Sequence, residues 1–507
     1  MGYSKEVLEF HRYCPGVPEA KEWQGIVEKY MKYMDKIEKD PTKHSTGPNR
    51  LLVDLVWVVC LYKADIISLE DTKKLLQGIL DVQQGKAKLI ETKSHGYAER
   101  NLINALDNDE DLASMVNLGR TLQEPMSRLD LRDMLIDTFE DLLDLMSTVT
   151  EIAKANVETV MPGHTHMSQA QPITLASYLL SVFDPLYRGY IQLELAYKDT
   201  NLNSGGCGAT SGITWPVDRY LMAELLGLDG LVEPAYDAEA SQDHSLSILF
   251  ALSNIVLLIS KTSMDMNIWS MEEMEMLKVD PAWCGVSSMM PNKCIPGSLF
   301  ERARIEAGYV VGQMMQASVL VKGEPHGDML PMLEPPKIAW HAMAHTMSAM
   351  AYLKGMLKNI IPQKETMKEY VRRGFSCSSE VSYYMVKEHG YGPRRAHRIV
   401  ATMVRMARER NLKAYEVTGE LLEEAAAFAE ERQPHIDTDT IRNLLDPENF
   451  IKTHTNAGGT APSVVKKMIE KREKELTDCK SRQEDRKKNI EQGNEKLQNE
   501  INAILKK

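Results

Sequence analysis

The chain has 507 residues, of which 43% are hydrophobic and 26% charged, a balance typical of a globular protein with a sizeable buried core. The net charge of −12 at pH 7 argues against nucleic acid or an anionic membrane surface as the main partner, because both require a basic binding face. The seven cysteines are scattered and show no Cys-x-x-Cys spacing, so the sequence predicts free thiols in a reducing compartment.

The N-terminus gives no sign of a targeting segment. Its first residues, Met-Gly-Tyr-Ser-Lys-Glu-Val, lack the basic and apolar regions of a secretory signal. The longest apolar stretch, 248–259, is interrupted by Ser253 and Asn254 and is too short to cross a bilayer. We therefore expect a cytoplasmic protein with no membrane partner.

Long segments without glycine or proline alternate with short clusters that contain both. Unbroken segments cover 128–160, 241–276 and 338–354. In the second of these, apolar residues recur on one helical face and also occupy the other faces, which predicts a helix buried on most sides. The recurring residues are Leu249, Leu252, Val256 and Ile259. Sustained period-two alternation is hard to find, so the sequence predicts an all-α fold of long packed helices with little sheet.

The last part of the chain is rich in Lys, Glu, Arg and Gln. Polar Gln483 interrupts a single heptad register of apolar residues, which consists of Ile469, Leu476, Ile490, Leu497 and Ile504. The second apolar position of the heptad is mostly polar. A solvated helical tail is therefore the favoured interpretation, and a coiled coil is the alternative.

The first two stretches with candidate chemistry precede the middle of the chain. Residues 119–124, Gly-Arg-Thr-Leu-Gln-Glu, offer groups that bind anions. Residues 161–172 are bounded by prolines and present Thr165, His166 and Gln171 to a polar ligand. His166 can donate, accept or shuttle a proton near neutral pH. His164 and His166 also suit a metal ion, but no third ligand follows at metal-binding spacing, so we predict no metal.

The third stretch, residues 285–293, is the most informative. It reads Gly-Val-Ser-Ser-Met-Met-Pro-Asn-Lys, so that Lys293 follows Ser287 by six residues. Hydroxyl groups, backbone N–H groups and the lysine charge suit a loop that closes over an anion. A general base at Ser287 requires the field of Lys293 and local dipoles to lower the pKa of its hydroxyl. An ordinary polar turn is the alternative.

Together these stretches resemble the fumarase/aspartase superfamily and, within it, the argininosuccinate lyases. Residues 287–293 are similar to the signature Ser-Ser-x-Met-Pro-x-Lys, and residues 162–172 to Pro-Gly-Tyr-Thr-His followed by Ala-Gln-Pro. Further matches in the same order extend the resemblance from about residue 94 to about residue 465. The resemblance implies a homotetramer around a bundle of long helices. Each active site would take one stretch from each of three subunits.

The resemblance also implies a reaction, β-elimination without metal or organic cofactor. A base removes the proton next to a carboxylate, the aci-carboxylate carbanion is stabilised, and a C–N or C–O bond breaks to release fumarate. By resemblance Ser287 is the base and Lys293 stabilises the carbanion. His166 is a proton donor or an orienting group. One inserted residue after Lys293 aligns Glu301 with the family's glutamate that is coupled to this histidine.

The substrate side follows from the same resemblance. The residues expected to bind a small dicarboxylate or amino-acid substrate are Thr165, Ser288, Asn292, Thr121, Gln123, Gln171, Arg120 and Asp328.

Three departures from the family pattern bear on the substrate, and one of them replaces the family's Lys-Lys-Asn-Pro-Asp, which closes the mobile loop, with Lys-Cys-Ile-Pro-Gly over residues 293–297. Where the argininosuccinate lyases have Gly-Arg-Ser-Arg-Asn-Asp, this chain has Leu122 in place of the second arginine and Gln123 in place of asparagine. After Lys322, the family segment associated with the arginine half is replaced by residues around His326 and Asp328. The sequence therefore predicts a lyase for an N-substituted aspartate whose amine half is not arginine. Argininosuccinate cleavage and a catalytically silent, lyase-like oligomer are the alternatives.

The resemblance also predicts the division of the chain. We expect an N-terminal helical domain over 1–111, a central long-helix domain over 112–355 and a C-terminal helical domain over 356–465. A charged helical tail over 466–507 follows.

Overall fold

The computed structural model describes residues 48–87, 102–121, 125–280, 283–287, 289–290 and 294–507. Its N-terminal part contains the helices α1 (Pro48–Lys63), α2 (Leu69–Gln83) and α3 (Glu110–Ser114). Ser68 caps α2 by accepting a hydrogen bond from the backbone N–H of Asp71. The apolar faces of α1 and α2 pack into a first core around the fully buried Trp57.

The middle of the chain forms the largest core. In chain order its elements are α4 (Met126–Ala155), β1 (Val160–Thr165), β2 (Ser168–Thr174), α5 (Leu175–Thr200), α6 (Arg219–Leu225), α7 (Ala235–Ala240), α8 (Asp243–Trp269), β3 (Leu277–Val279), β4 (Gly285–Val286), β5 (Cys294–Ile295), α9 (Ser298–Val321), α10 (Met329–Met332), α11 (Glu334–Asn359) and β6 (Ile360–Pro362). The helices α4, α5, α8, α9 and α11 each have 24 to 30 residues and pack side by side. At 1.5 Å per residue this bundle is roughly 36 to 45 Å long.

The helix α8 confirms the predicted segment that is buried on most sides. Leu249, Leu252, Val256 and Ile259 are fully buried in the large core. Among the described residues, α8 is the one helix whose length and composition would also suit a membrane span. However, 56% of its apolar window is buried against the rest of the fold, as expected for the core helix of a bundle.

The sheet content is small, as predicted. The described residues form three antiparallel pairs, β1–β2, β3–β6 and β4–β5. The pair β1–β2 is a hairpin whose turn residues, His166 and Met167, both have positive φ angles, 53° and 58°. Two such residues give the turn a twist that matches the twist of the strands. The second candidate stretch therefore forms a rigid hairpin between α4 and α5.

The C-terminal part builds a third core. It contains α12 (Lys364–Arg373), α13 (Ser378–His389), α14 (Pro393–Glu409), α15 (Gly419–Phe428), α16 (Thr438–Leu444) and α17 (Pro447–Thr453). Ile399, Met403 and Phe450 lie at its centre. The three cores follow each other in the order of the three predicted domains, and the boundaries at residues 111, 355 and 465 stay predictions.

The last helix, α18 (Pro462–Lys506), is helical as predicted, but the solvated-tail interpretation is wrong. It packs along α4 and reaches the first core, where Leu497 and Ile504 are buried. Gln483, the polar residue in the heptad register, donates a 3.0 Å hydrogen bond to the backbone oxygen of Ile136. The apolar residues of the heptad register therefore pack against other helices of the same chain. The buried amide of Gln483 finds its hydrogen-bond partner on one of these helices.

Candidate active site

The antiparallel central helices place the candidate stretches at opposite ends of the bundle. At one end, Leu175 at the start of α5 donates a 2.9 Å hydrogen bond to Thr159, just after α4. At the other end, Arg128 in α4 donates a 2.6 Å hydrogen bond to Asp199 in α5. We call the first the hairpin end, which comprises the β1–β2 hairpin, the β3–β6 pair, Ser287 and the first turn of α9. We call the second the cap end, which comprises α7 and the loops around Thr121 and His326.

At the hairpin end, the hairpin is anchored by a side chain close to its turn, and the turn itself is exposed. The Gln169 side chain donates to the backbone oxygen of Tyr370 at 3.3 Å. At the tip, Thr165 and His166 are exposed, and Met167 is 79% exposed. No described residue of the same chain forms a hydrogen bond with their side chains. Gln171 is exposed on the same hairpin, so the predicted ligand groups project outward.

Ser287 is half-buried and follows β4 directly. Its Oγ accepts hydrogen bonds from the backbone N–H groups of Met290 at 3.0 Å and Met289 at 3.3 Å. Two N–H donors aimed at one oxygen favour its anionic form. The backbone of the loop therefore suits a negative charge on Ser287 Oγ, and the role of Ser287 as the base stays a prediction.

Several predicted site residues lie outside the described residues. They are Ser288, Asn292, Lys293 and Gln123, and their roles stay predictions.

Glu301 lies at the hairpin end and is exposed in the first turn of α9. A carboxylate is favourable there because the N-terminus of a helix carries partial positive charge. Its predicted coupling to His166 stays a prediction. Sequence analysis missed a different pair, in which His345 Nδ1 lies 2.6 Å from Glu306 Oε2 across α9 and α11. No spacing in the sequence relates two residues on separate helices.

At the cap end, the structure corrects the prediction for Arg120. Its guanidinium pairs with Asp54 at 2.9 Å, and the two side chains are 0% and 3% exposed. Asp54 is also paired with Arg50 at 3.3 Å. A side chain buried in this way does not reach a substrate from solvent, so the prediction that Arg120 binds the substrate is wrong. It instead fixes the loop that carries Thr121 to the first core.

Thr121 lies beside a carboxylate that sequence analysis did not select. Glu239 on α7 is half-buried, with Oε2 3.8 Å from the thiol of Cys207. The buried Thr121 hydroxyl lies next to the same carboxylate without closing a well-aligned hydrogen bond. Burial raises the pKa of Glu239, against the lowering effect of Cys207 and Thr121. Glu239 lies in a stretch, residues 237–243, for which no chemical role was predicted, so sequence analysis did not select it.

The loop after α9 contacts the same helix. Tyr236 on α7 stacks on His326 with ring centroids 5.1 Å apart, and its hydroxyl donates a 2.8 Å hydrogen bond to the His326 backbone oxygen. Asp328 is exposed in this loop. Tyr236 and Glu239 are three residues apart and share a helix face. Thr121, which precedes the first departure, and His326, which lies in another, therefore both contact α7.

The two ends are too far apart for one substrate within one chain. They are separated by the length of the central helices, roughly 40 Å at 1.5 Å per residue. Thr121 and Ser287 of the same chain therefore do not contact one small molecule. In the part of the chain that the structure describes, no group of three or more His, Cys, Asp or Glu side chains could hold a metal ion.

Comparison with known proteins identifies the family. The family model described as "Lyase" matches residues 56–312, and the model described as "Argininosuccinate lyase C-terminal" matches residues 375–452. The chain belongs to this lyase family. It is 29% identical to the argininosuccinate lyase of Methanocaldococcus jannaschii over 86% of this chain and 91% of that one. The resemblance to the argininosuccinate lyases is thereby confirmed.

Solved structures of lyases share the architecture. The crystal structure of EDDS lyase in complex with formate is 25% identical, has a TM-score of 0.86 and covers 94% of this chain and 96% of that chain. A class II fumarase from Schistosoma mansoni, 14% identical with a TM-score of 0.63, covers 83% of this chain and 94% of that one and shares the fold. The predicted all-α, fumarase/aspartase-like fold is confirmed.

Proposed function

We propose that the chain is a carbon–nitrogen lyase that eliminates an amine from an N-substituted aspartate and releases fumarate. The observation that carries this proposal is the Ser287 hydroxyl, which accepts two backbone N–H groups within a loop similar to the family signature. The names of the relatives, argininosuccinate lyase and EDDS lyase, support it. The cytoplasmic location stays a prediction.

The proposed mechanism begins at Ser287. Its alkoxide, stabilised by the N–H groups of Met289 and Met290, removes the proton next to a succinyl carboxylate. Lys293 stabilises the resulting aci-carboxylate. His166, coupled to Glu301, protonates or orients the departing amine as the C–N bond breaks. These steps need no metal or organic cofactor.

The active site is proposed to form between copies of the chain. Since the two ends lie about 40 Å apart along helices that rise 1.5 Å per residue, a second copy has to bring Thr121 to Ser287. Exposed apolar side chains on the outer face of a central helix support such assembly. Phe250 and Leu257 on α8 are 52% and 54% exposed, and they are spaced by seven residues on one face. A homotetramer would cover this apolar stripe with the same stripe of a neighbour.

Argininosuccinate is the second candidate substrate. The curated relatives favour it, because several are named argininosuccinate lyase at 26% to 29% identity. The departures from the family pattern favour a different amine half, because Leu122 and the residues around His326 replace those of the family. A direct assay with argininosuccinate separates the two candidates.

The test is fumarate absorbance with the purified full chain. N-substituted aspartates, argininosuccinate included, are offered in the elimination direction. Fumarate with a panel of amines is offered in the reverse direction. Release or consumption of fumarate with at least one compound is expected. An intact oligomer that is inert in both directions would support the catalytically silent alternative and contradict the proposal.

A further inference from the structure

We propose that Gln169 and Ser376 are positioning residues for the elimination. Through one shared contact they hold the turn of the β1–β2 hairpin, and with it Thr165 and His166, in place for the reaction. This inference rests on the proposed function and adds to its site two residues that act through the hairpin.

The first observation is the position of Gln169 on the hairpin. The residue pair next to the turn is Thr165 with Ser168, and the following pair is His164 with Gln169. Gln169 therefore lies three residues after His166, on the strand that leads away from the turn. Because the two strands are paired by backbone hydrogen bonds, a contact that fixes Gln169 also fixes the direction in which the turn projects.

The second observation is that both polar atoms of the Gln169 amide have partners around the loop between α12 and α13. Its Nε2 donates to the backbone oxygen of Tyr370 at 3.3 Å, and its Oε1 accepts a 3.1 Å hydrogen bond from Ser376 Oγ. The Tyr370 oxygen lies in the last turn of α12, where backbone carbonyls lack partners within the helix. Since one partner is an acceptor and the other a donor, a single orientation of the amide satisfies both.

The third observation is the close fit of this loop around the amide. A Cβ at Gly374 would lie 2.6 Å from Gln169 Oε1 and 3.1 Å from the backbone oxygen of Tyr370, so glycine leaves the room that the side chain needs. Tyr370 is itself held in place, because its hydroxyl donates a 3.0 Å hydrogen bond to the backbone oxygen of Glu273, shortly before β3. The loop therefore offers a fixed binding site to the Gln169 side chain.

The contact bears on catalysis because the functional groups of the turn have no support of their own. Thr165 and His166 are exposed, and their side chains form no hydrogen bond with the described residues of the same chain. Their placement therefore depends on the backbone of the hairpin. Misplacing a catalytic group by about 1 Å can lower a rate by about 10²-fold.

The test removes the contact and follows the reaction. The substrate is whichever compound, argininosuccinate or another N-substituted aspartate, releases fumarate fastest with the wild type. Gln169→Ala is expected to lower kcat by about 10- to 100-fold. KM should change less, because the other stretches still bind the substrate. The matched control is Gln433→Ala at an exposed glutamine of the C-terminal part, which should keep the wild-type kcat and KM.

Variants at position 376 separate positioning from general support of the fold. Ser376→Ala removes one hydroxyl and should lower kcat by roughly 3- to 10-fold, the usual effect of one hydrogen bond. Ser376→Thr keeps the hydroxyl and should restore most of the loss. The Gln169→Ala, Ser376→Ala double variant should be no slower than Gln169→Ala, because both substitutions remove the same contact. Circular dichroism and light scattering should show folded oligomers of the wild-type size throughout.

The outcomes separate this inference from the proposed function. Wild-type kcat in Gln169→Ala, with an inactive Ser287→Ala enzyme, would overturn the inference and leave the proposed function standing. Losses that multiply in the double variant, or a Ser376→Thr enzyme as slow as Ser376→Ala, would overturn it as well. The same holds for a loss in Ser376→Ala that accompanies unfolding or a smaller oligomer. No fumarate from any compound would overturn the proposed function and the inference together.

Discussion

The two ends of the central bundle differ in their exposure and in their contacts within the chain. The hairpin end carries the residues that match the family signature, and its tip projects from the chain with Thr165 and His166 exposed. The cap end is closed by contacts of its own chain, such as the buried Arg120–Asp54 pair. Under the proposed function, proton transfer and recognition of the amine half are assigned to separate parts of the chain. Assembly of several copies would join them.

Hydrogen bonds of one arginine hold the loops around α7 at the cap end. Arg219 donates to the backbone oxygens of Gly205 at 2.8 Å, Val232 at 2.9 Å and Glu233 at 3.2 Å, which holds two loops around α7. The helix α18 packs against α6 from outside. Loops that determine specificity require such support, because a small displacement of a binding group weakens recognition.

The largest effect is expected at the hairpin end, from Ser287→Ala. Removing the proposed base should lower kcat by about 10²- to 10⁴-fold, the usual contribution of general base catalysis. Fumarate release measures the loss, and light scattering should show an unchanged oligomer. Ser481→Ala, an exposed serine on α18, is the control and should keep full activity. A Ser287→Ala enzyme within a factor of a few of the wild type would contradict the assignment of Ser287.

The next effect concerns the surface between the two ends. Leu257→Glu places a charge in the exposed apolar stripe of α8, where burial of an unpaired charge is costly. We expect a smaller species in analytical ultracentrifugation and loss of most activity, because the separated ends no longer meet. Gln492→Glu on the exposed side of α18 adds the same charge and should change neither the mass of the oligomer nor its activity. An unchanged mass for Leu257→Glu would count against assembly through this stripe.

A smaller effect is expected where α18 braces the cap end. A Cβ at Gly493 would lie 2.5 Å from the backbone nitrogen of Gly227, and backbone atoms do not yield as side chains do. Gly493→Ala should therefore lower the free energy of unfolding by about 1 to 3 kcal/mol, as overpacking usually does. Urea unfolding measures this, with exposed Gln492→Ala as the control. Equal free energies of unfolding for Gly493→Ala and Gln492→Ala would show that α18 does not approach the backbone of Gly227 this closely.

The smallest effect is a pH dependence at the cap end. Because burial raises the pKa of Glu239, the folded protein binds a proton there more tightly than the unfolded chain does. The charged carboxylate therefore destabilises the fold as pH rises through this pKa. Glu239→Gln should be slightly more stable than the wild type at neutral pH, and the difference should vanish in acid.

Thermal unfolding at several pH values measures this difference. A variant less stable than the wild type at neutral pH would contradict a raised pKa at Glu239.

Much of the fold could be predicted because its signals are local. Segments free of glycine and proline marked three of the five central helices, α4, α8 and α11, and the loop with Ser287 was found by its motif. The hairpin was not predicted, because prolines at both its ends resembled a loop. The ion pair of Arg120 joins residues 66 positions apart, and Glu239 meets Thr121 only after α7 folds against the loop. Burial of α18 was missed because polar Gln483 finds its partner on another helix.

Mixed oligomers test the central claim, that each active site joins the hairpin end of one copy to the cap end of another. Ser287→Ala disables the hairpin end, and Thr121→Asp disables the cap end by repelling the carboxylates of the substrate. Two differently tagged variants are coexpressed, and oligomers that contain both are isolated. Since each site draws the two residues from different chains, roughly a quarter of the wild-type activity should return. Mixed Ser287→Ala and Ser287→Gly chains should regain none. Mixed oligomers of Ser287→Ala and Thr121→Asp chains that stay as inactive as either variant alone would contradict the claim that the active site is shared between copies.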